Sequence, residues 1–260
     1  MDLNSEIHPT AIIHPLAKLG QQIKIGPYSI IGENVALGDG CVVGPHVVID
    51  GHTTIGKNNT MFHGVSLGGA PQDLKYEGRK TYLEIGDGNT FREFFTAHRG
   101  SGTGGTTKIG SHCFLMATAH VAHDCTIGDG VTIANAVHLA GHVRIDDYAT
   151  VGGVTPVHQF VSIGKYAFVG GGSRVERDIP PFIKAAGNPT RVYGINSIGL
   201  ERHGFSSEKR AIIKRMFNLL YRSDLNVTQV LQELKNGDFD DPERRILVDF
   251  LESSQRGITK

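Results

Sequence analysis

The chain has 260 residues, no tryptophan, 7% aromatics and 34 glycines, and its 26 basic side chains balance 26 acidic ones. Zero formal net charge argues against a general nucleic-acid binder. Cys41, Cys113 and Cys125 are too few and too scattered for a disulfide framework and fit a reduced, cytosolic setting. No apolar run of about 18 residues reaches the length of a membrane span, and the acid-bearing N-terminus does not read as a signal peptide.

From Ile7 an aliphatic side chain returns every six residues: Ile13, Leu19, Ile25, Ile31, Leu37, Val43, Ile49, Ile55, Met61 and Leu67. Residues 68–83, GGAPQDLKYEGRKTYL, lack the period and read as a loop that leaves a wall and returns to it. Ile85 and Phe91 fall on the same register, and 99–107, RGSGTGGTT, reads as a second such loop. From Ile109 the run resumes and continues to Val175. Of 29 register positions, 25 carry Leu, Ile, Val, Met or Phe, where chance places such residues at roughly a third.

A period of six matches neither a helix nor a free strand pair. It matches a short strand followed by a corner, three of which make a triangular coil of 18 residues. Coils stack about 4.8 Å apart through strand hydrogen bonds, so about nine of them predict a prism roughly 40 Å long. The residue after the aliphatic is often glycine (Gly20, Gly26, Gly38, Gly128), and its tolerance of turn conformations marks it as the expected corner. Loops as long as the two interruptions disproportionately carry function.

After about residue 190 the period changes. Ser206–Tyr221 predicts a helix capped by Ser206, with Ile212, Ile213, Met216, Phe217 and Leu220 as its apolar stripe. A second is predicted from Asn226, with Val230, Leu231 and Leu234 inward. A third begins at Asp241-Pro242, an N-cap with proline at the first helical position. The expected organisation is therefore a parallel β-helix over 1–190 and a small α-helical domain over 191–260, placed to cover an unpaired coil end.

Residues 18 apart stack in such a coil. His120 lies under His138, Asp124 under His142, and His123 under Gly141, which lies under Gln159. An imidazole, an open glycine backbone and an amide thus fall within about one coil rise of one another. Those are parts that acyl transfer uses: neutral His123 as base, the Gly141 N–H for a developing oxyanion, and Asp124 to hold the ring's tautomer. Neighbours on a strand point to opposite faces, so His123 and Asp124 cooperate only at a corner. A lone outward histidine here is ordinarily a solvated side chain; the group at 120–142 stands out because an acid accompanies it. His120, His123 and His142 also offer three imidazoles to zinc, as in γ-class carbonic anhydrases, and a non-catalytic scaffold is the remaining alternative.

AHVAHDC ending at Cys125, LAGHV, VHQF, the loop sequence PQDLKY, HRG at 98–100, IPP at 179–181 and GLERHGFS together resemble the UDP-N-acetylglucosamine O-acyltransferases that begin lipid A synthesis. The likeness runs from about residue 7 to the C-terminus. It implies a left-handed coil, an exception to the usual right-handed crossover. It also implies a cytoplasmic homotrimer with sites between subunits and no cofactor. The reaction implied moves an (R)-3-hydroxyacyl chain from acyl carrier protein to the sugar 3-position, or to a 3-amino analogue. The related N-acyltransferase carries an extra N-terminal uridine-binding domain, for which hexads starting at Ile7 leave no room.

In residue terms the resemblance makes His123 the base, Asp124 its orienter and Gly141 the oxyanion donor. It brings Gln72, Asp73 and Lys75, with His120, to the sugar or its acyl group. His98, His142, His158, Gln159, Asn196, Arg202 and His203 line the remaining cleft. The family commonly has two basic residues where Arg202-His203 stands, and arginine suits a diphosphate because it is bidentate and always charged. Gly171, by position, limits the acyl tunnel, and its missing side chain leaves room for a long chain. Lys209, Arg210, Lys214, Arg215 and Arg222 on the first predicted helix offer a basic face to an acidic carrier protein.

Overall fold

The computed structural model describes residues 5–236 and 241–260. Residues 1–4, part of the stretch read as no signal peptide, lie outside the described residues. Two-residue strands, beginning with Glu6–Ile7, Ile12–Ile13 and Lys18–Leu19, recur in turn along three walls. Each wall is a sheet, of 11, 8 and 8 strands, and the coiled strands pair in parallel with the coil above. The fold is a left-handed parallel β-helix closed by a small helical cap.

Every register aliphatic from Ile25 to Val169 is buried, as the period requires, and so is Ala97, which takes a register position with a smaller side chain. A second inward column stands two residues earlier in each hexad, with Ile23, Val47, Val65, Leu83, Phe95, Val131 and Val143 in the same core. This column also holds buried polar groups: Ser29, Thr53, Asn59, Asn89 and Thr107. They are tolerated because backbone partners are within reach. Asn89 Nδ2 donates to Gly110 O at 2.9 Å, and its Oδ1 accepts from Cys113 N at 2.8 Å.

The corners are not at the recurrent glycines. They lie two residues further on, where Tyr28, His46, Phe94, Asp124, His142, Tyr148, Phe160 and Tyr166 hold φ near 60°. The recurrent glycine instead serves close stacking. A Cβ on Gly26 would come within 2.8 Å of the Gly44 carbonyl carbon, and one on Gly128 within 2.7 Å of Asp147 N. What recurs every six residues is thus a point of backbone contact between coils.

Both loops are shorter than their aperiodic stretches, because strands Ser66–Gly69, Tyr82–Ile85 and Thr106–Ile109 reach into them. The excursions span 70–81 and 99–105. Accordingly Leu67 pairs with Ala97 and Ala97 with Val121, at separations of thirty and twenty-four residues rather than eighteen.

The last coil is closed by strand Ile183–Ala186 and its antiparallel partner Arg191–Ile195. Four helices follow: α1 (Ser197–Arg202), α2 (Ser207–Arg222), α3 (Val227–Asn236) and α4 (Pro242–Ser253). Short α1, unforeseen in the sequence, is capped by Asn196, whose side chain accepts from Gly199 N. Ser206 caps α2 as expected. Asn226 and Gln229 exchange side-chain and backbone bonds at the start of α3, a capping box. Asp241 precedes Pro242 as expected, but its side chain makes no cap hydrogen bond. Ile213, Met216, Val230, Leu234, Leu247 and Phe250 fill a second core with Phe182 of the coil. Buried Asp178 ties the C-terminal tail to the coil, accepting from Ser162 N at 2.7 Å and from Ser254 Oγ at 2.6 Å. Among the described residues no helix is long and apolar enough to cross a membrane.

Candidate active site

Asp124 occupies a left-handed corner with φ 59°. This turns its side chain to the same side as that of His123, and His123 Nδ1 meets Asp124 Oδ2 at 2.8 Å. The corner that the pair needed is present. Burial alone pushes the Asp124 carboxyl up, but hydrogen bonds from His123 and Ser101, with His142 nearby, outweigh it and hold the group below the usual carboxylate range. An ionised carboxylate only accepts, so the Nδ1 facing it carries the proton and Nε2 presents a lone pair.

One coil above, Gly141 leaves the ring its space. A Cβ there would lie 2.5 Å from His123 Cε1 and 2.7 Å from Nε2. Among the described residues none accepts a hydrogen bond from the Gly141 N–H. A base and a backbone donor without a partner among the described residues therefore lie in contact.

His142, at the next corner up with φ 61°, approaches Asp124 Oδ2 with Nε2 at 3.8 Å. Its ring stacks on Phe160 with centroids 4.7 Å apart and meets His123 edge-on at 5.3 Å. One strand away, His120 Nδ1 bonds Thr96 Oγ1 at 2.7 Å, and the ring lies edge-on to His98. Burial, reinforced by His98, His138 and His123, pushes His120 down to about 4. Burial likewise lowers His98, with His123 and Arg99 adding to it. His98 Nδ1 is buried without a hydrogen-bond partner among the described residues. Both imidazoles are therefore neutral at pH 7 and available as polar contacts.

The zinc set read from the sequence does not assemble. Among the described residues, the group whose ligand atoms converge within 4.8 Å is His123, Asp124 and His142, without His120. In that group His123 Nδ1 and Asp124 Oδ2 are already bonded to each other, and Ser101 Oγ takes a further place on Oδ2.

The other predicted residues make no hydrogen bond or ion pair with this cluster among the described residues. Gln72 and Lys75 are exposed on the first loop, and Asp73 Oδ1 caps Lys75 N at 2.9 Å. His158 and Gln159 are exposed beside the cluster, with His158 Nδ1 near Gln159 O. Asn196, Arg202 and His203 share a separate cleft of about 520 Å³ with Tyr148, Phe168 and Lys184. The Asn196 amide also holds Tyr166 O at 3.0 Å, and His203 packs on Tyr148 and Tyr166. Gly171 faces the Gly153 carbonyl, 3.1 Å from where its Cβ would stand. On α2, Lys209 is committed to Glu243 at 3.1 Å and Arg210 to Glu201 at 3.5 Å. Lys214 and Arg222 instead line an open cleft with Tyr193 and Phe217.

Ser101 was not foreseen. Its Oγ and N–H both donate to Asp124 Oδ2, at 2.7 and 3.1 Å, while Asp124 N donates to Thr107 Oγ1 at 2.8 Å. It sits in an aperiodic loop, 23 residues before Asp124, a separation that neither the six-residue period nor the 18-residue coil supplies.

A hexapeptide coil with a histidine–carboxylate pair under an open glycine defines an acyltransferase of the parallel β-helix type. A profile described as bacterial transferase hexapeptide matches residues 106–141, and one described as UDP-N-acetylglucosamine O-acyltransferase, domain 2, matches 178–259. The acyl-[acyl-carrier-protein]–UDP-N-acetylglucosamine O-acyltransferase of Rippkaea orientalis is 62% identical over 233 residues, covering 90% of this chain and 84% of the relative. Its namesake from Halorhodospira halophila is 46% identical over 206 residues, covering 79% and 80%. The crystal structure of UDP-N-acetylglucosamine O-acyltransferase from Moraxella catarrhalis superposes with a TM-score of 0.94 at 40% identity, over 98% of this chain and 99% of that one. The chain belongs to the acyl-[acyl-carrier-protein]–UDP-N-acetylglucosamine O-acyltransferase family.

Proposed function

We propose that this enzyme transfers an (R)-3-hydroxyacyl chain from acyl carrier protein to the 3-position of UDP-N-acetylglucosamine, opening lipid A biosynthesis in the cytoplasm. The observation that carries the chemistry is the His123–Asp124 pair beneath Gly141, with no hydrogen-bond partner for Nε2 or for the Gly141 N–H among the described residues. His123 Nε2 takes the proton of the sugar 3-hydroxyl as its oxygen attacks the thioester carbonyl. The Gly141 N–H meets the oxyanion, and collapse expels the carrier's thiolate, which receives the proton from His123. Ionised Asp124 stabilises the intervening imidazolium.

Half-buried neutral His98 and His120 fit contacts to sugar or acyl oxygens, because neither adds a charge that would oppose the imidazolium. Within one chain Gln72, Asp73 and Lys75 make no hydrogen bond or ion pair with the histidine cluster among the described residues, and Asn196, Arg202 and His203 occupy another cleft. That separation supports a homotrimer whose sites draw on neighbouring subunits. Leu74, wholly exposed at the first loop's tip, suits burial against such a neighbour. His142, His158 and Gln159 would line the acyl path, with Gly171 at its far limit. On α2, Lys214 and Arg222 are better placed than Lys209 or Arg210 to meet an acidic carrier protein. We read 1–190 as the catalytic coil and 191–260 as the domain that closes it and receives the carrier.

The test is an activity panel of UDP-N-acetylglucosamine and its 3-amino analogue against decanoyl to hexadecanoyl carrier-protein donors. Transfer to either sugar, lost in His123→Ala with folding intact, is the expected result. No transfer to either sugar from any donor overturns the reading.

A further inference from the structure

The carboxylate of Asp124 is enclosed by the second loop to a degree that orienting one imidazole does not require. Ser101 gives its hydroxyl to Oδ2, the oxygen that also receives His123 Nδ1, and shares its backbone N–H between Oδ2 at 3.1 Å and Oδ1 at 3.3 Å. On the other side, a Cβ on Gly105 would lie 2.7 Å from Oδ1, so the loop backbone is packed against that oxygen as well. The same loop begins with Arg99, whose guanidinium donates to Gly68 O at 2.6 Å and to the Tyr76 hydroxyl at 3.2 Å in the first loop. Residues 99–101 thus join the first loop to the acid behind the base.

We propose that Ser101 is a positioning residue for acyl transfer, sharing the Asp124 carboxylate so that its pull on His123 is limited as well as aimed. The inference rests on the reading of His123 as general base. Three donors converge on one carboxylate oxygen, and each weakens that oxygen as an acceptor for the others. Removing the serine hydroxyl leaves more negative charge facing His123 Nδ1–H. The imidazolium is then favoured, and Nε2 stays protonated to higher pH. The other groups around the pair are His142, whose Nε2 is 3.8 Å from Oδ2, and His98, His120 and Arg99 beside them. None of these changes in a Ser101 variant.

The experiment is the pH–rate profile of wild type, Ser101→Ala, Ser101→Thr and His123→Ala, with kcat and KM separated. Ser101→Ala is expected to move the acidic limb of kcat upward by about half a pH unit. Its plateau should fall by roughly three- to ten-fold, the worth of one hydrogen bond, with the sugar-nucleotide KM near wild type. Ser101→Thr, which keeps the hydroxyl, should restore the wild-type limb. A wild-type limb in Ser101→Ala overturns the proposal, as does a limb displaced equally in Ser101→Thr. Retained activity in His123→Ala is a different failure, because it removes the base on which the proposal rests.

Discussion

Gly141 lies so close over His123 that a Cβ on residue 141 would stand 2.5 Å from the imidazole Cε1. Glycine here is a requirement of the ring below it. Gly141→Ala is expected to displace His123 and cost on the order of 100-fold in kcat. Stability should change little, since the neighbouring bond from Phe160 N to Gly141 O is kept. Paired measurements of kcat and Tm check this; a large fall in Tm with kcat preserved would contradict it.

Asp124→Asn tests the tautomer. An amide nitrogen turned toward His123 would ask Nδ1 to accept, moving the ring proton to Nε2, where it blocks proton abstraction. A loss of roughly 10³- to 10⁴-fold in kcat is expected, by analogy with hydrolase triads. Binding of the sugar nucleotide, measured by calorimetry, should be nearly unchanged.

The fold was legible because the inward side chains of a coil repeat at a fixed interval, and Ile7 to Val175 keep that interval across both loops. The second inward column was not, because Thr53, Asn59, Asn89 and Thr107 are polar and only backbone donors and acceptors within reach make them tolerable. Stacking arithmetic brought His123 under Gly141 and Asp124 under His142. It could not supply Ser101, whose place depends on how a loop without a period folds back. Glycine misled for the same reason: its meaning here is contact between coils, which a single turn of chain does not reveal.

Half-buried His120 sets a pH dependence of stability. Its folded pKa is pushed down to about 4, below the unfolded value of about 6.5. The unfolded chain therefore binds more protons between those values. Stability falls as pH drops from about 6.5 toward 4 and is unaffected by this group above 6.5. The full cost is on the order of 3 kcal/mol. His120→Gln should flatten the decline in Tm over that window, and melting curves at pH 4.5, 5.5 and 7 check it.

His203 packs against Tyr148 and Tyr166 with centroids 5.1 and 5.2 Å away, beside Arg202. An arginine there can keep the aromatic contact and add a permanent charge. His203→Arg is expected to tighten UDP-sugar binding several-fold at pH 8, measured by calorimetry. Unchanged or weaker affinity counts against a diphosphate role for this position.

Gly171 has the Gly153 carbonyl as its nearest prospective neighbour, at 3.1 Å from a Cβ, so a side chain fits after a small adjustment. Gly171→Met should shift preference toward shorter acyl donors with the Tm nearly retained. An unaltered donor profile discards its role as a limit on chain length.

The two ends of the prism are unlike. At one end the last coil is closed by a hairpin and four helices, and Val175, Ile179 and Ala185 are fully buried. At the other end Ile7, Ile12 and Leu16 remain exposed on the opening coil, the last two by well over half. Each coil is held only by its neighbours, so such a column melts as a zipper does, from its loose end inward. The first coils act as a sacrificial margin: a mild stress opens them while the histidine cluster, several coils away toward the closed end, keeps its geometry. Loss of the opening turns and loss of catalysis should therefore be separate thermal events.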